Sequence, residues 1–311
     1  LAVATAFVGV RIAGVVAWIA HWMAETSLAT PPSLRAVGVA LVVLLCLRMV
    51  GTTWRASVGL VTTGLVLSCT APTAFHHWPQ QDWRYVMCDV GQGDASVLRV
   101  SNDSVVLFDL GPAARRERAC LQQLGVKHVL ALFIFQGLTT PPSYVFSTSL
   151  HEPSIEWQRV HHALPNMQEV SAGESITFGE IVVTVLSPTG VGVDPNNASL
   201  VLDIQTPEMR LLITGDTDPA AQRLLHLPAT HYDIVKVPHH GSKYQDSAFL
   251  ERVHARLALI SVGAGNDYGH PFSGTVQELR AAGALVLRTD LVGSIAVGVH
   301  EGRLSYTELS S

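Results

Sequence analysis

Apolar and polar positions alternate differently in two parts of the chain. The first part holds three long apolar runs, over residues 1–20, 36–47 and 56–75, and the third of these contains no charged residue. A bilayer core about 30 Å thick is crossed by about 20 helical residues. The pattern therefore predicts about three transmembrane α-helices, with buried helices of a soluble protein as the alternative.

From Trp83 onward, short β-branched runs alternate with turn residues. The paired runs SVLRV and VVLFDLG, SITF and IVVTVLSP, SLVLDIQ and RLLITGD, and GSIAVGVH and RLSYTEL predict β-hairpins. Helices are predicted over residues 115–124, 219–226, 247–254 and 273–282. Strand-rich halves, each with added helices, predict an α/β fold in which two sheets pack face to face with helices outside.

Charge is scarce in the first part of the chain and frequent in the second. Hydrophobic residues make up 48% of the 311 residues and charged residues 14%, a low share for a purely soluble protein. We therefore predict transmembrane helices over residues 1–78 and a separate domain over residues 79–311. The chain begins with Leu1, as expected of a processed product or of a fragment of something longer.

Basic residues in the short loops between the apolar runs indicate an orientation. The loop between the second and third runs carries Arg48 and Arg55, whereas the preceding loop carries Arg35 and Glu25. Short basic loops prefer the cytoplasm. We therefore expect a multi-pass protein of the cell membrane whose C-terminal domain lies on the extracytoplasmic face.

Net charge and cysteine spacing narrow the class of protein. The net charge of −5 argues against a strongly basic nucleic-acid-coating surface but not against a local basic groove. The four cysteines show no CxxC spacing. Cys88 and Cys120 pair if their part of the chain faces an oxidising compartment, and otherwise remain two buried thiols.

Several acids and imidazoles follow directly on apolar strands. They are Asp89, Asp109, Asp216, His239, His240 and His270. Strand ends that meet loops are common places for ligand-binding side chains, and carboxylates with imidazoles suit Zn²⁺ or Mn²⁺. Simpler roles remain open, because Asp94 and Asp109 are typical turn caps, Asp216 is a candidate N-cap and His270 precedes a proline in a loop.

The adjacent histidines of VKVPHHGS raise a geometric question. Successive side chains on a strand point to opposite faces, so His239 and His240 share one site only if the chain bends. Gly241 permits a bend there. We predict that one histidine faces the site and that the other supports it.

The order of the motifs resembles a known family. CDVGQGDASVLRV, VLFDLGP, NNASLVL, LLITGD, VKVPHHGS, GNDYGHP and LRTDLVGSIAV are similar to the C-terminal domain of the ComEC/Rec2 family of DNA-uptake channel proteins, over residues 85–299. The resemblance implies a metallo-β-lactamase-like αββα sandwich that follows the last helices of a membrane channel. CDVGQGDA together with CLQQLGV looks closest to the high-GC Gram-positive branch.

The resemblance also implies a function. The family moves single-stranded DNA across the inner membrane with other competence-machinery proteins, so single-stranded DNA, the lipid bilayer and those proteins are the expected partners. The domain has been proposed to degrade the non-transported strand, with two metal ions activating water and clamping the phosphodiester.

One motif of the family is missing from this sequence. A Ser/Thr-His-x-His-x-Asp-His motif should follow the strand HVLALFIF, but QGLTTPPSYVF stands there, and no His or Asp lies between His128 and His151. A histidine from residues 151–162 is a possible replacement. We therefore predict one divalent metal, Zn²⁺ or Mn²⁺, or none.

The remaining candidates are divided by role. The predicted metal ligands are Asp216, His239, His240 and His270, which we expect to come within about 5 Å of one another. Asp216 and His240 are the predicted catalytic residues. The predicted nucleic-acid or site-loop residues are Asp89, Gln92, Asp94, Asp109, Ser242 and Lys243.

Three hypotheses follow for the domain. In the first, it is catalytically impaired and guides or scaffolds DNA, with phosphate contacts from Lys243 and Lys236. In the second, it is an active metal-dependent phosphodiesterase or nuclease that degrades the non-transported strand. In the third, it is a stable remnant without activity.

Overall fold

Two mixed β-sheets form the framework of the structure, a computed structural model that describes residues 78–111, 113–134, 144–148, 167–188, 196–229 and 231–309. All of these residues lie in one compact unit, His76–Ser311. The division of the chain at residues 78 and 79 remains a prediction.

Most of the predicted strands and helices are present, with ends shifted by a few residues. The strands of the described residues are β1 (Trp83–Met87), β2 (Ser96–Arg99), β3 (Ser104–Phe108), β4 (His128–Ile134), β5 (Tyr144–Thr148), β6 (Met167–Val170), β7 (Ser175–Phe178), β8 (Ile181–Ser187), β9 (Val201–Gln205), β10 (Arg210–Ile213), β11 (Tyr232–Lys236), β12 (Ala255–Ile260), β13 (Leu285–Arg288), β14 (Ser294–His300) and β15 (Arg303–Leu309). The α-helices of the same residues are α1 (Ala114–Gln123), α2 (Pro219–Leu224), α3 (Ser247–Val253), α4 (Ser273–Ala281) and α5 (Thr289–Val292).

The strand order divides each sheet into an antiparallel and a parallel part. Within the described residues, the first sheet has the order β15-β14-β1-β2-β3-β4-β5-β6, antiparallel up to β3 and parallel beyond it. The second has the order β13-β12-β11-β10-β9-β8-β7, parallel up to β10 and antiparallel beyond it. The four predicted hairpins are confirmed as β2–β3, β7–β8, β9–β10 and β14–β15.

The main hydrophobic core lies between the two sheets. It joins Phe108 and Phe133 of the first sheet to Val183 and Leu202 of the second. The Phe108 and Phe133 rings stack with their centres 5.4 Å apart. Strand β8 buries alternate residues, as expected of a strand with one face on a core. The apolar alternation of the sequence therefore produces the face-to-face packing of the sheets.

Helices cover the outer face of each sheet. On the second sheet, Phe249 of α3 and Leu279 of α4 pack in a second core. On the first sheet, Cys120 of α1 and the adjacent Leu124 pack in a third. The layers are therefore helix, sheet, sheet, helix, which confirms the αββα architecture.

The acids at the N-termini of α3 and α2 make different contacts. The side chain of Asp246 caps α3 by accepting a hydrogen bond from the Phe249 N–H at 2.8 Å. Asp218 occupies the N-cap position of α2, but its side chain makes no capping bond. Its carboxylate instead accepts from the Asn196 amide at 3.3 Å and lies 3.2 Å from Nδ1 of His239. The acid at the start of α2 therefore faces the polar loops.

The open question about the cysteines has an answer in the structure. Cys88, just after β1, forms a disulfide with Cys120 of α1, and their Cα atoms lie 6.1 Å apart. Both residues are buried in the core beneath α1. The disulfide therefore ties a helix of the outer layer to the strand end from which the CDVGQGD loop departs.

Within residues 78–309, as far as they are described, no helix has both the length and the apolar character needed to cross a bilayer. The apolar runs over residues 1–20, 36–47 and 56–75, where transmembrane helices are predicted, lie outside the described residues.

Candidate functional site

Three side chains with metal-ligand chemistry converge at one end of the two sheets. Asp94 lies in the loop between β1 and β2, Asp216 in the turn after β10, and His240 in the short 3-10 helix Pro238–Gly241 after β11. One ligand atom from each of them lies within 4.8 Å of the other two. Loops of both sheets therefore build the site.

A lysine lies between the two acids of this group. Lys236 is the last residue of β11, and its side chain is only 2% exposed. Its ammonium contacts the carboxylate of Asp94, lies 3.6 Å from Oδ1 of Asp216 and donates a hydrogen bond to the Gly215 carbonyl at 2.7 Å. The site therefore contains an internal cation.

The charges of these groups stabilise one another. Burial of Asp94 works against its ionisation, but the charges of Lys236 and His240 outweigh burial and lower the pKa of Asp94 to about 2. Burial also opposes a charged Lys236, yet Asp94 and Asp216 raise the pKa of its ammonium above the usual value. The pKa of His240 is likewise raised, because Asp94 and Asp216 outweigh burial.

Asp109 is a second buried acid beside the site. Its side chain accepts a hydrogen bond from the Leu110 N–H at 2.8 Å, and its backbone has a left-handed φ of 56°. Burial, reinforced by the charge of Asp94, raises the pKa of Asp109 to about 8. Asp109 therefore holds a proton at neutral pH, whereas Asp94 does not.

The two adjacent histidines lie in a tight left-handed bend. His239 and His240 have φ angles of 46° and 52°, and Gly241 continues the bend with 73°. Such angles cost non-glycine residues about 1–3 kcal/mol each. The predicted bend is therefore present, and the histidines themselves take part in it.

The bend gives the two imidazoles different partners. Nδ1 of His240 donates to the Ser261 carbonyl at 2.9 Å, which leaves Nε2 3.7 Å from Oδ2 of Asp216. Nδ1 of His239 lies 3.2 Å from Oδ1 of Asp218. His240 therefore faces Asp216, whereas His239 faces Asp218.

His270 borders the same site. Its ring centre lies 5.5 Å from that of His239 and 6.2 Å from that of His240. Burial, followed by the charges of His239 and His240, lowers the pKa of His270, which favours its neutral form. The three-residue group of Asp94, Asp216 and His240 includes neither His270 nor His239.

Two of the predicted loop residues fix the shape of the CDVGQGD loop. The carboxylate of Asp89 accepts from the Gly91 N–H at 3.0 Å and lies 3.4 Å from a guanidinium nitrogen of Arg116. The side chain of Gln92 accepts from the Gly263 N–H at 3.3 Å. Both residues therefore hold the loop that carries Asp94.

The predicted loop residues Ser242 and Lys243 follow the two histidines in the chain. Ser242 is buried, and its hydroxyl accepts from the Tyr244 N–H at 3.2 Å. Lys243 is exposed, with its ammonium 5.1 Å from the centre of the Tyr244 ring. Lys243 is therefore available to an anionic ligand and Ser242 is not.

The structure corrects the prediction for Lys236 and gives Asp94 a more central position than the sequence predicts. Lys236 cannot contact a DNA phosphate from its buried position between the acids. Asp94, predicted as a loop residue, belongs to the central group instead. The sequence predicts Asp94 as a loop residue and Lys236 as a phosphate contact, and no local pattern shows that the two sheets bring them together.

The donor types of the central group suit a divalent metal, whereas its charge balance does not. Two carboxylates and an imidazole are ligands of Zn²⁺ or Mn²⁺. One oxygen each of Asp94 and Asp216 lacks a hydrogen-bond partner among the described residues. However, the ammonium of Lys236 already contacts Asp94 and lies beside Asp216. A divalent ion would lie against this fixed positive charge, so the group as folded does not fit one.

Proteins with known names are similar to this chain in sequence. ComE operon protein 3 of Bacillus subtilis (strain 168) is 36% identical over 135 residues, which cover 42% of this chain and 17% of that protein. Recombination protein 2 of Haemophilus influenzae is 25% identical over 257 residues, covering 78% and 32%. Competence protein ComA of Neisseria gonorrhoeae is 26% identical over 242 residues, covering 72% and 33%. The chain thus spans 33% or less of the length of these relatives.

The chain is also similar to solved structures, at low sequence identity. The Zn²⁺-bound PqqB of Methylobacterium extorquens is 11% identical with a TM-score of 0.43, covering 63% of this chain and 85% of that one. The metallo-β-lactamase fold protein YhfI of Bacillus subtilis is 9% identical with a TM-score of 0.42, covering 72% and 99%. No family model matches the chain.

Proposed function

This chain is a relative of the ComEC/Rec2 competence proteins, as its ordered motifs predict, and we propose that it serves DNA uptake with a domain that guides a single strand without cutting it. One observation carries the proposal. Among the described residues, the metal-ligand side chains that come together are Asp94, Asp216 and His240. A two-metal hydrolytic site needs more donors than these, and the sequence after β4 supplies no His or Asp before His151.

Exposed aromatic rings near the site support contact with a single strand. Tyr244 is 58% exposed beside Lys243, and Tyr268 is 73% exposed and stacked on His270 with ring centres 5.9 Å apart. Single-stranded nucleic acids bind to surfaces that combine basic groups with rings on which bases stack. We infer that residues 243–244 and 266–270 of these two loops contact bases and phosphates of the strand.

The proposal includes a membrane location. The apolar runs of residues 1–78 would cross the lipid bilayer several times, and the domain would face the extracytoplasmic side, where other competence proteins deliver DNA. The Cys88–Cys120 disulfide supports this placement, because disulfides form and persist in oxidising compartments. The assignment to the high-GC Gram-positive branch stays a prediction.

The alternative is an active metal-dependent phosphodiesterase that degrades the non-transported strand. The proximity of Asp94, Asp216 and His240 favours it, because these three side chains would together hold one Zn²⁺ or Mn²⁺ ion. In that case Asp216 and His240 would be the catalytic residues. The third possibility, a remnant without activity, would bind neither metal nor DNA.

Binding and cleavage of a labelled oligonucleotide by the full chain test the proposal. We expect fluorescence anisotropy to show binding that weakens as salt rises, because phosphate contacts release counterions. With added Mn²⁺ or Zn²⁺, we expect the strand to stay intact. Cleavage that is lost in Asp216→Ala would instead establish an active phosphodiesterase. If the chain neither binds nor cleaves the oligonucleotide, the result would favour the hypothesis of a remnant without activity.

A further inference from the structure

The ammonium of Lys236 stands where the acids of the site would otherwise share a metal. It contacts Asp94, lies 3.6 Å from Asp216 and donates to the Gly215 carbonyl. His240 faces the same pair of acids, at 3.5 Å from Asp94 and 3.7 Å from Asp216. The lysine therefore competes for the carboxylates that a metal would need, whereas the imidazole of His240 lies beside them as a third donor.

The charges within the group explain what the lysine does there. The two carboxylates and the ammonium sum to one negative charge. Without the ammonium, two negative charges would lie within a few ångströms of each other and away from water. Buried charges of one sign are strongly unfavourable unless a counter-ion accompanies them.

The position of the lysine is fixed by the fold. Lys236 ends β11, an interior strand that pairs with β10 and β12 on its two sides, so its Cα has little freedom. Its long stem runs through the interior with only 2% of the side chain exposed. The ammonium therefore cannot withdraw to solvent to make room for an ion.

We propose that Lys236 is the built-in cation of this site, and that Asp94, Asp216 and His240 form a latent divalent-metal site which opens only when this ammonium is removed. The inference rests on the proposed loss of metal-dependent cleavage and gives it a physical cause. Two carboxylates and one imidazole are suitable ligands for Mn²⁺ as well as for Zn²⁺, so Mn²⁺ can serve as the probe of this site.

The variant Lys236→Met tests the inference in the full chain. It keeps the unbranched stem and removes the charge. In titrations with Mn²⁺ alone, we expect the wild type to leave the electron paramagnetic resonance signal of the free ion unchanged. Lys236→Met should remove the signal of about one Mn²⁺ per chain, and its thermal midpoint should rise with Mn²⁺ while that of the wild type does not.

Matched variants separate this site from other histidines and lysines. Lys243→Met removes an exposed lysine from the adjacent turn and should gain no ion. Lys236→Met combined with Asp216→Asn should lose the gained ion. A Lys236→Met protein that folds and takes up no Mn²⁺ would overturn the inference.

If Lys236→Met does not fold, Mn²⁺ binding by the wild type tests the inference. Binding of Mn²⁺ by the wild type, abolished in Asp94→Asn, would overturn it, whereas wild-type protein that binds no ion agrees with it. The result is independent of DNA binding. If the full chain binds no oligonucleotide but Lys236→Met still gains Mn²⁺, the DNA-guide function fails and the built-in cation stands.

Discussion

The carboxylate of Asp94 and the ammonium of Lys236 form an ion pair that joins the two sheets of the sandwich. Asp94 belongs to the β1–β2 loop of the first sheet, and Lys236 ends β11 in the second. Both side chains are largely buried. The pair therefore links the position of the β1–β2 loop to the packing of the two sheets, and salt screens it little because both side chains are largely buried.

Breaking this pair should destabilise the fold. Removing one partner of a buried ion pair leaves the other charge uncompensated, which costs about 3–5 kcal/mol. We expect Asp94→Asn to lower the free energy of unfolding by about this amount in urea titrations.

An exposed ion pair provides the control for that substitution. Arg84 and Glu208 lie 2.7 Å apart with side chains 37% and 35% exposed. Exposed pairs contribute about 0–1 kcal/mol, so Glu208→Gln should change stability by less than Asp94→Asn does. Equal losses in the two variants would mean that the Asp94–Lys236 pair is not an important stabilising contact.

Stability should fall with rising pH because of Asp109. Its folded-state pKa of about 8 lies above the usual value of 3.8, so the folded state holds a proton that the unfolded chain releases. The resulting stabilisation is complete below about pH 4 and is lost as the pH rises towards 8. Asn accepts the left-handed backbone of this position and carries no charge.

Asp109→Asn should therefore become more stable relative to the wild type as the pH rises. We expect the difference in unfolding free energy between the variant and the wild type to grow in favour of the variant between pH 5 and pH 8, about the range set by the two pKa values. Glu180→Gln, which removes an exposed acid from the turn between β7 and β8, is the matched control. A pH-independent difference for Asp109→Asn would contradict the raised pKa.

The disulfide should contribute to stability. Cys88 and Cys120 are 32 residues apart in sequence, and native disulfides of this kind contribute about 2–5 kcal/mol. We expect reduction, or replacement of both cysteines by alanine, to lower the urea midpoint. In the variant that lacks Cys88 and Cys120, the urea midpoint should no longer depend on reductant. A wild-type urea midpoint that is the same with and without reductant would show that the disulfide does not form.

Local sequence patterns are sufficient to predict the sheets but not the site. Alternation in β8 and the turns of the hairpins depend on neighbouring residues, so they are readable from the sequence. The ion pair of Asp94 and Lys236 joins two sheets, and nothing near either residue shows its partner. Lys236 was therefore predicted as a DNA contact, whereas the structure buries it at the end of β11.

The VPHHGS turn shows the same limit at a shorter range. A bend was predicted at Gly241 from its lack of a side chain, and it is present with a φ of 73°. The left-handed angles of His239 and His240 were not predictable, because such angles are unfavourable for these residues in isolation. Contacts from elsewhere in the fold impose them, including the bond from His240 to the Ser261 carbonyl.

The aromatic ring of Tyr268 should contribute to binding a single strand. It is 73% exposed and stacks on His270 beside the site. Base stacking on such a ring contributes about 1–3 kcal/mol, so Tyr268→Ala should weaken the affinity for an oligonucleotide by about 5- to 150-fold. Tyr306→Ala, which removes an exposed tyrosine from the edge strand β15, is the matched control. Equal affinities of the two variants would exclude the Tyr268 loop from the binding surface.

The packing of Gly263 against the CDVGQGD loop should be intolerant of a side chain. A Cβ at this position would lie 2.7 Å from the Gln92 backbone nitrogen and 2.9 Å from the Gly91 carbonyl carbon, and backbone atoms cannot move aside as a flexible side chain can. Overpacking of this kind costs about 1–3 kcal/mol. We expect Gly263→Ala to lose about that much stability in urea titrations and to shift the loop that carries Asp94. Ala264→Ser, at the exposed neighbouring position, should leave stability unchanged, and a fully stable Gly263→Ala would show that the two loops do not pack as closely as these distances require.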